Sequence, residues 1–176
     1  MSQLTDLRHE IDHFMKFHPQ SPLEHEQRDS FEGLSYYEYN EELVFEVDVE
    51  RFPEDEPIVT MQTSTGDSQD YRRWGTFTFE VDGEKASMTI YSNPLGQEFF
   101  MPFKDASNGK ETYGAGRYMD DHRPGFRQIG ADRFEIDFNY AYNPYCAYSL
   151  AYSCPLPPRE NWLKVPIQAG EKDFEK

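Results

Sequence analysis

The first stretch whose residue types could do chemistry is His9-Glu10-Ile11-Asp12-His13. It spells H-E-x-x-H, in which two imidazoles four residues apart on a helix can grip zinc while the glutamate polarises a water. The helix that would carry the motif argues against this use. Leu4, Leu7, Ile11 and Phe14 form one apolar stripe at about 100° per residue. His9 and His13 are therefore expected on the solvent side, among Asp6, Glu10 and Asp12. A catalytic zinc needs a walled cleft and a third protein ligand, so no metal site is assigned.

A second candidate lies in the loop from Asn108 to Arg117, which holds Gly109, Gly114 and Gly116. Glycines permit positive φ or close approach of another group to the backbone, and an arginine beside exposed N–H groups can bind a carboxylate or phosphate. Asn139, Asn143 and Tyr145 cluster around Pro144, and polar groups next to an aromatic wall are the usual make-up of a ligand pocket. The expected ligand-binding set is Arg117, Tyr113, Asp105, Asn139, Asn143 and Tyr145, with a small anionic metabolite as ligand. The competing role for Arg117 is an ion pair with Asp105, Glu111 or Asp137 that holds the loop to the sheet. That for the asparagines is to tie down the proline-rich tail.

Chemistry of two other kinds stays open as an alternative. Asp105, Asp137 or Glu160 could serve a hydrolase as general base in the same region, and an assembly protein would need no catalyst; no catalytic residue or cofactor is assigned. Cys146 and Cys154 have the wrong spacing for a C-x-x-C pair. Eight steps would separate them by about 27 Å in a strand or about 12 Å in a helix. Only a tight turn would join them, so buried, inert, reduced thiols are expected. A Cys–His nucleophile would have to draw on His122, the one histidine outside the N-terminal region.

The elements that must position these groups change in period along the chain. After the first helix, ended by Pro19, Ser21-Pro22-Leu23-Glu24 reads as a capping box opening a second helix that runs to Gly33. Leu43, Phe45, Val47 and Val49 then alternate with polar or charged neighbours, with Val44 the exception, as in a half-buried strand. Ile58–Thr63, Phe99–Phe103 and Phe134–Tyr142 read as further strands. Asp82-Gly83 is a type I′ hairpin signal. A two-residue loop there sets Phe79 against Ala86, Phe77 against Met88 and Gly75 against Ile90, with Glu80–Lys85, Thr78–Ser87 and Thr76–Thr89 on the other face. Each pair is chemically sensible, and a slip of one residue would ruin all of them. Pro155, Pro157, Pro158 and Pro166 predict an extended, polyproline-like course over the surface, loosening after Gly170. The fold class expected is mainly β (α+β): two short N-terminal helices, then a twisted antiparallel sheet or small β-barrel. Residues 1–30 form the helical segment and 31–176 the β-rich part of one domain.

Bulk properties set the medium. The 176 residues include 33 acidic and 17 basic side chains, for a formal net charge of −16. The acid is spread along the whole length, as on a halophilic surface that must stay hydrated in high salt. Such a chain repels nucleic acid and anionic membranes, so neither is an expected partner. Apolar content is 37% but aromatic content is 16%, enough for a core of few, large side chains. No signal peptide or membrane-spanning run is visible, which points to the cytoplasm.

Several ordered stretches resemble one family. They include Arg73-Trp74-Gly75, Met101-Pro102-Phe103-Lys104-Asp105, Glu111 to Tyr118, Asp137 to Tyr148, Cys154 to Asn161 and Ile167 to Lys172, with Ser21-Pro22-Leu23 and Phe31-Glu32-Gly33-Leu34 nearer the front. Together they resemble the family catalogued as domain of unknown function 1684 over most of the chain. The resemblance implies no established activity.

Overall fold

The computed structural model describes residues 2–174, so the outer bounds drawn at 1 and 176 lie outside the described residues. The apolar stripe seen in the sequence forms the inner face of α1 (Ser2–Phe17): Ile11, Phe14 and Met15 pack with Leu23, Phe31, Leu34 and Tyr148. Helix α2 (His25–Ser30) begins three residues later than the capping signal suggests. Gln27 Oε1 accepts from Glu24 N at 2.9 Å, so Glu24 takes the N-cap position. Ser21 Oγ instead donates to Met15 O at 2.6 Å, closing the end of α1.

Nine strands follow among the described residues: β1 (Val44–Asp48), β2 (Glu50–Arg51), β3 (Val59–Gln62), β4 (Ser68–Val81), β5 (Glu84–Ser92), β6 (Phe99–Phe103), β7 (Arg117–Asp120), β8 (Phe126–Gln128) and β9 (Arg133–Asp137). They form two antiparallel sheets. One is ordered β1-β9-β8 and the other β2-β4-β5-β6-β7, with β3 also paired to β4. The fold is mainly β with two helices, as expected, but the strands divide between two sheets and close no barrel. No helix among the described residues is long and apolar enough to cross a membrane.

The β4–β5 hairpin has the register read from its turn. Phe79 faces Ala86, Phe77 faces Met88 and Gly75 faces Ile90, with Asp82 and Gly83 at φ of 51° and 81°, as a type I′ turn requires. A bulge at Trp74 then shifts the pairing, so that Arg73 meets Tyr91. Gly75 is needed there, because a Cβ would stand 2.5 Å from Val49 Cγ1. Trp74 packs edge-on against Phe99 and Phe134, joining the two sheets in one core with Phe77, Met88, Ile90, Met101, Phe103, Ile136 and Phe138.

Two expectations are corrected at the C-terminal side. The strand read over Phe134–Tyr142 stops at Asp137, whose carboxylate accepts from Asn139 N at 2.9 Å and caps a 3-10 turn, Phe138–Tyr140. The proline-rich end is extended but is not a surface strap. Val165, Ile167 and Ala169 lie in the core, and Glu171 is fully enclosed. The chain after Gly170 is thus held, through an antiparallel bridge between Glu171 and Tyr36.

Candidate functional site

Arg117, expected as the ligand's anchor, is part of the scaffold. It opens β7 with no exposed side-chain surface and pairs with Asp105, equally enclosed, at 2.9 Å. Its Nη2 also donates to Ile167 O at 2.7 Å, and Nη1 donates to Ala169 O and, at 3.2 Å, to Glu171 O. The guanidinium therefore stitches the last buried segment to β7. Asp105 has no free oxygen to offer: Oδ1 accepts from Ser107 N at 2.7 Å, from Ser107 Oγ, and from Ile167 N at 3.2 Å. Gly116, at φ 105°, is dictated by the same packing, since a Cβ would meet Phe103 O at 2.5 Å. Gly116 thus lets β6 approach the loop.

The remaining expected residues do not converge. Asn139 is buried and exchanges hydrogen bonds with Asn40, donating to Asn40 O and accepting from Asn40 N at 2.9 Å each. Tyr113 stands apart, its carbonyl accepting from Asn108 Nδ2 at 3.1 Å. Asn143 and Tyr145 do share a cleft. Asn143 does tie the tail, donating from Nδ2 to Lys172 O at 3.0 Å.

The candidate bases are similarly dispersed. Asp137 caps its turn, and burial raises its pKa while Asn139's hydrogen bonds oppose the rise. Burial alone would raise Glu160, but hydrogen bonds from Arg73 and Tyr91 outweigh it and hold the carboxyl below its usual range. Arg73 grips it with two donors, at 3.0 and 2.6 Å. A carboxylate so engaged is a weak base.

The cysteine expectation is overturned. A 3-10 turn at Tyr145–Ala147, continued by Ser149 N donating to Tyr145 O at 3.1 Å, reverses the chain. Cys146 and Cys154 thereby stand 6.3 Å apart at Cα and form a disulfide, leaving no free thiol to pair with His122. His9 and His13 are exposed, as the stripe requires.

A cleft of about 440 Å³ opens beside this disulfide, at the turn between β7 and β8, and its lining includes Asp120, Arg123, Tyr142, Asn143, Tyr145 and Tyr152. Asp120, the last residue of β7, accepts from Tyr142 OH and from His122 N at 3.0 Å. The Arg123 guanidinium carbon lies over the Tyr142 ring, 3.7 Å from its centre. Tyr145 and Tyr152 meet edge to face at 5.1 Å and add aromatic surface to the lining. Behind Arg123 lies Glu171, entirely buried, which accepts from Tyr148 OH and from Asn143 N at 3.4 Å. Burial pushes its carboxyl up to about 7, with Tyr148 and Arg123 opposing.

Arg123, Asp120, Tyr148 and Glu171 were not among the residues the sequence singled out. Asp120-Asp121-His122-Arg123-Pro124 reads as a solvated, charged turn, and the one available signal was an arginine and a histidine set between two aromatic segments.

A comparison with curated proteins finds no match. The solution NMR structure of an uncharacterised protein of Haloarcula marismortui is similar, with a TM-score of 0.72 at 35% identity, over 97% of this chain and 92% of that one. The model of the family described as "Protein of unknown function (DUF1684)" matches residues 29–172, from the end of α2 through Lys172. The chain belongs to the DUF1684 family.

Proposed function

We propose that the domain binds a small anionic ligand in the cleft at the β7–β8 turn, with Arg123 supplying the positive charge. The observation that carries this reading is the state of that side chain. Arg123 is stacked on Tyr142 and, among the described residues, meets no carboxylate within ion-pair distance. In a chain with 33 acidic residues, a guanidinium held over an aromatic face and left unpaired is poised for a charge from outside. The ring contact restrains the guanidinium, and its fork of N–H donors suits a bidentate anion. The cleft's volume falls in the range of small-molecule pockets, roughly 300–1,000 Å³, and the tyrosines give it apolar walls. The ligand class expected from the sequence is kept, while its anchor moves from Arg117 to Arg123. The hydrolase alternative gains no support, because Asp105, Asp137 and Glu160 are each committed to a structural partner.

The same reading retains a salt-adapted, halophilic surface without nucleic-acid or membrane partners, on the strength of the −16 charge. A cytoplasmic home stays part of it too, with the Cys146–Cys154 bond then subject to reduction by the thiol pools of that compartment.

Thermal melts of wild type and Arg123→Gln with inorganic phosphate, acetate and citrate test the site. A ligand present at a hundred times its Kd stabilises by about 2.7 kcal/mol. At least one of these anions should raise the wild-type Tm and leave Arg123→Gln unmoved. Equal responses in both proteins, or none in either, would overturn the proposal.

A further inference from the structure

Arg123, Asn143 and Tyr145 line not one hollow but two. Besides the outer cleft they border an inner cavity of about 180 Å³ between α1 and the end of the chain. Its lining combines polar Glu171 and Tyr148 with apolar Ile11, Phe14 and Leu34. Exposed Glu10 adds a second carboxylate to the lining. Half-buried Arg123 and buried Glu171 give the lining both signs of charge. Arg123 and Glu171 act on each other electrostatically, yet no ion pair joins them. Asn143 is 2% exposed, and its Oδ1 has no hydrogen-bond partner among the described residues. A buried acceptor left empty costs free energy unless something donates to it.

We infer that the inner cavity is a site for an apolar α-amino acid, its carboxylate on Arg123, its ammonium shared by Glu171 and the free Asn143 Oδ1, and its side chain against α1. The inference rests on the proposed role of Arg123 and adds the second pole. Each unsatisfied feature then gains a partner of the right kind: the unpaired guanidinium an anion, the lone acceptor a donor, the apolar wall an apolar body. A hollow of about 180 Å³ has room for a small zwitterion. Burial holds the Glu171 carboxyl up near 7, and an ammonium beside it would restore its charge, since an opposite charge favours the ionised form.

Three probes of one shape separate the poles in calorimetric titration of the wild-type protein: L-leucine, isocaproate, which lacks the amine, and isoamylamine, which lacks the carboxylate. Leucine should bind, and each truncated probe should bind roughly tenfold or more weakly, one such factor being about 1.4 kcal/mol. Glu171→Gln, which keeps an acceptor for Tyr148 and Asn143, should erase the preference for leucine over isocaproate. Isocaproate binding as tightly as leucine would overturn the zwitterion site and leave the anion role of Arg123 standing. Phosphate binding through Arg123 with no binding of leucine would do the same. No binding by leucine, isocaproate or phosphate would retire both.

Discussion

Arg117→Met should be among the most damaging single changes in the molecule. The guanidinium is completely buried and serves four oxygens: Asp105 Oδ2 and the carbonyls of Ile167, Ala169 and Glu171. Methionine fills much of the volume and removes every donor. Asp105 keeps its three donors on Oδ1, but Oδ2 becomes an uncompensated buried charge, a loss worth about 3–5 kcal/mol. For a chain of this length each kcal/mol moves Tm by about 2–4 °C, so a fall of about 6–20 °C follows. Arg117→Lys keeps the charge but has three donors for four acceptors. Losing one or two hydrogen bonds at about 0.5–1.5 kcal/mol each gives roughly 0.5–3 kcal/mol. Pairing Arg117→Met with Asp105→Leu should recover only part of the loss. The three carbonyls, Ser107 N and Ile167 N would still want partners, unlike a buried pair that touches only itself. Urea unfolding monitored by circular dichroism measures all three. A wild-type-like midpoint for Arg117→Met, within about 1 kcal/mol, would refute this account of the arginine as a stitch between β7 and the last buried segment.

Three other outcomes follow from charge and cross-linking. Raising potassium chloride from low to molar concentration should raise Tm by screening repulsion within a chain of net charge −16, and an unchanged or lower Tm would remove the salt-adapted reading. Glu171 should make its own contribution to pH dependence. Its folded pKa of about 7 lies above the ordinary glutamate value of 4.5, so the native state holds the proton more tightly and this group's contribution falls as pH rises from about 4.5 to about 7. Glu171→Gln should therefore gain on wild type by up to about 3 kcal/mol between pH 5 and pH 8, and a constant difference would show that the group is ordinary. Reducing the Cys146–Cys154 bond, which spans a separation of eight residues, should cost about 2–3 kcal/mol on loop entropy. Unfolding with and without a phosphine reductant measures it, and no change would mean that the thiols are not joined in solution.

What the sequence revealed was what neighbouring residues decide among themselves. The β4–β5 register followed from the Asp82-Gly83 turn and its cross-strand pairs, and it failed only beyond Gly75, where the Trp74 bulge answers to packing between sheets. The Phe99–Phe103 strand was read at its true bounds. Strand β7 was missed because Arg117, Tyr118, Met119 and Asp120 are all buried, which leaves no alternation to see. The Phe134–Tyr142 reading ran too long because a capping carboxylate at Asp137 outcompeted the strand. At the site, Arg117 and Arg123 cannot be told apart locally, each being an arginine near glycine and aromatic residues. What separates them is Asp105, twelve residues before Arg117, and Tyr142, nineteen after Arg123. The cysteine pair was misjudged for the same reason, since a turn seeded at Pro144 decides its distance.

The difference between those two arginines is the most direct test of the whole account. Isotope-labelled protein gives one side-chain Nε–Hε signal per arginine, and heteronuclear NMR can follow each during a titration with inorganic phosphate and with isocaproate. The signal of Arg123 should shift saturably with at least one of them, while that of Arg117, sealed against Asp105, stays where it is. A stationary Arg123 signal, or movement of Arg117 in its place, would contradict the claim that the charge awaiting a ligand stands at the β7–β8 turn.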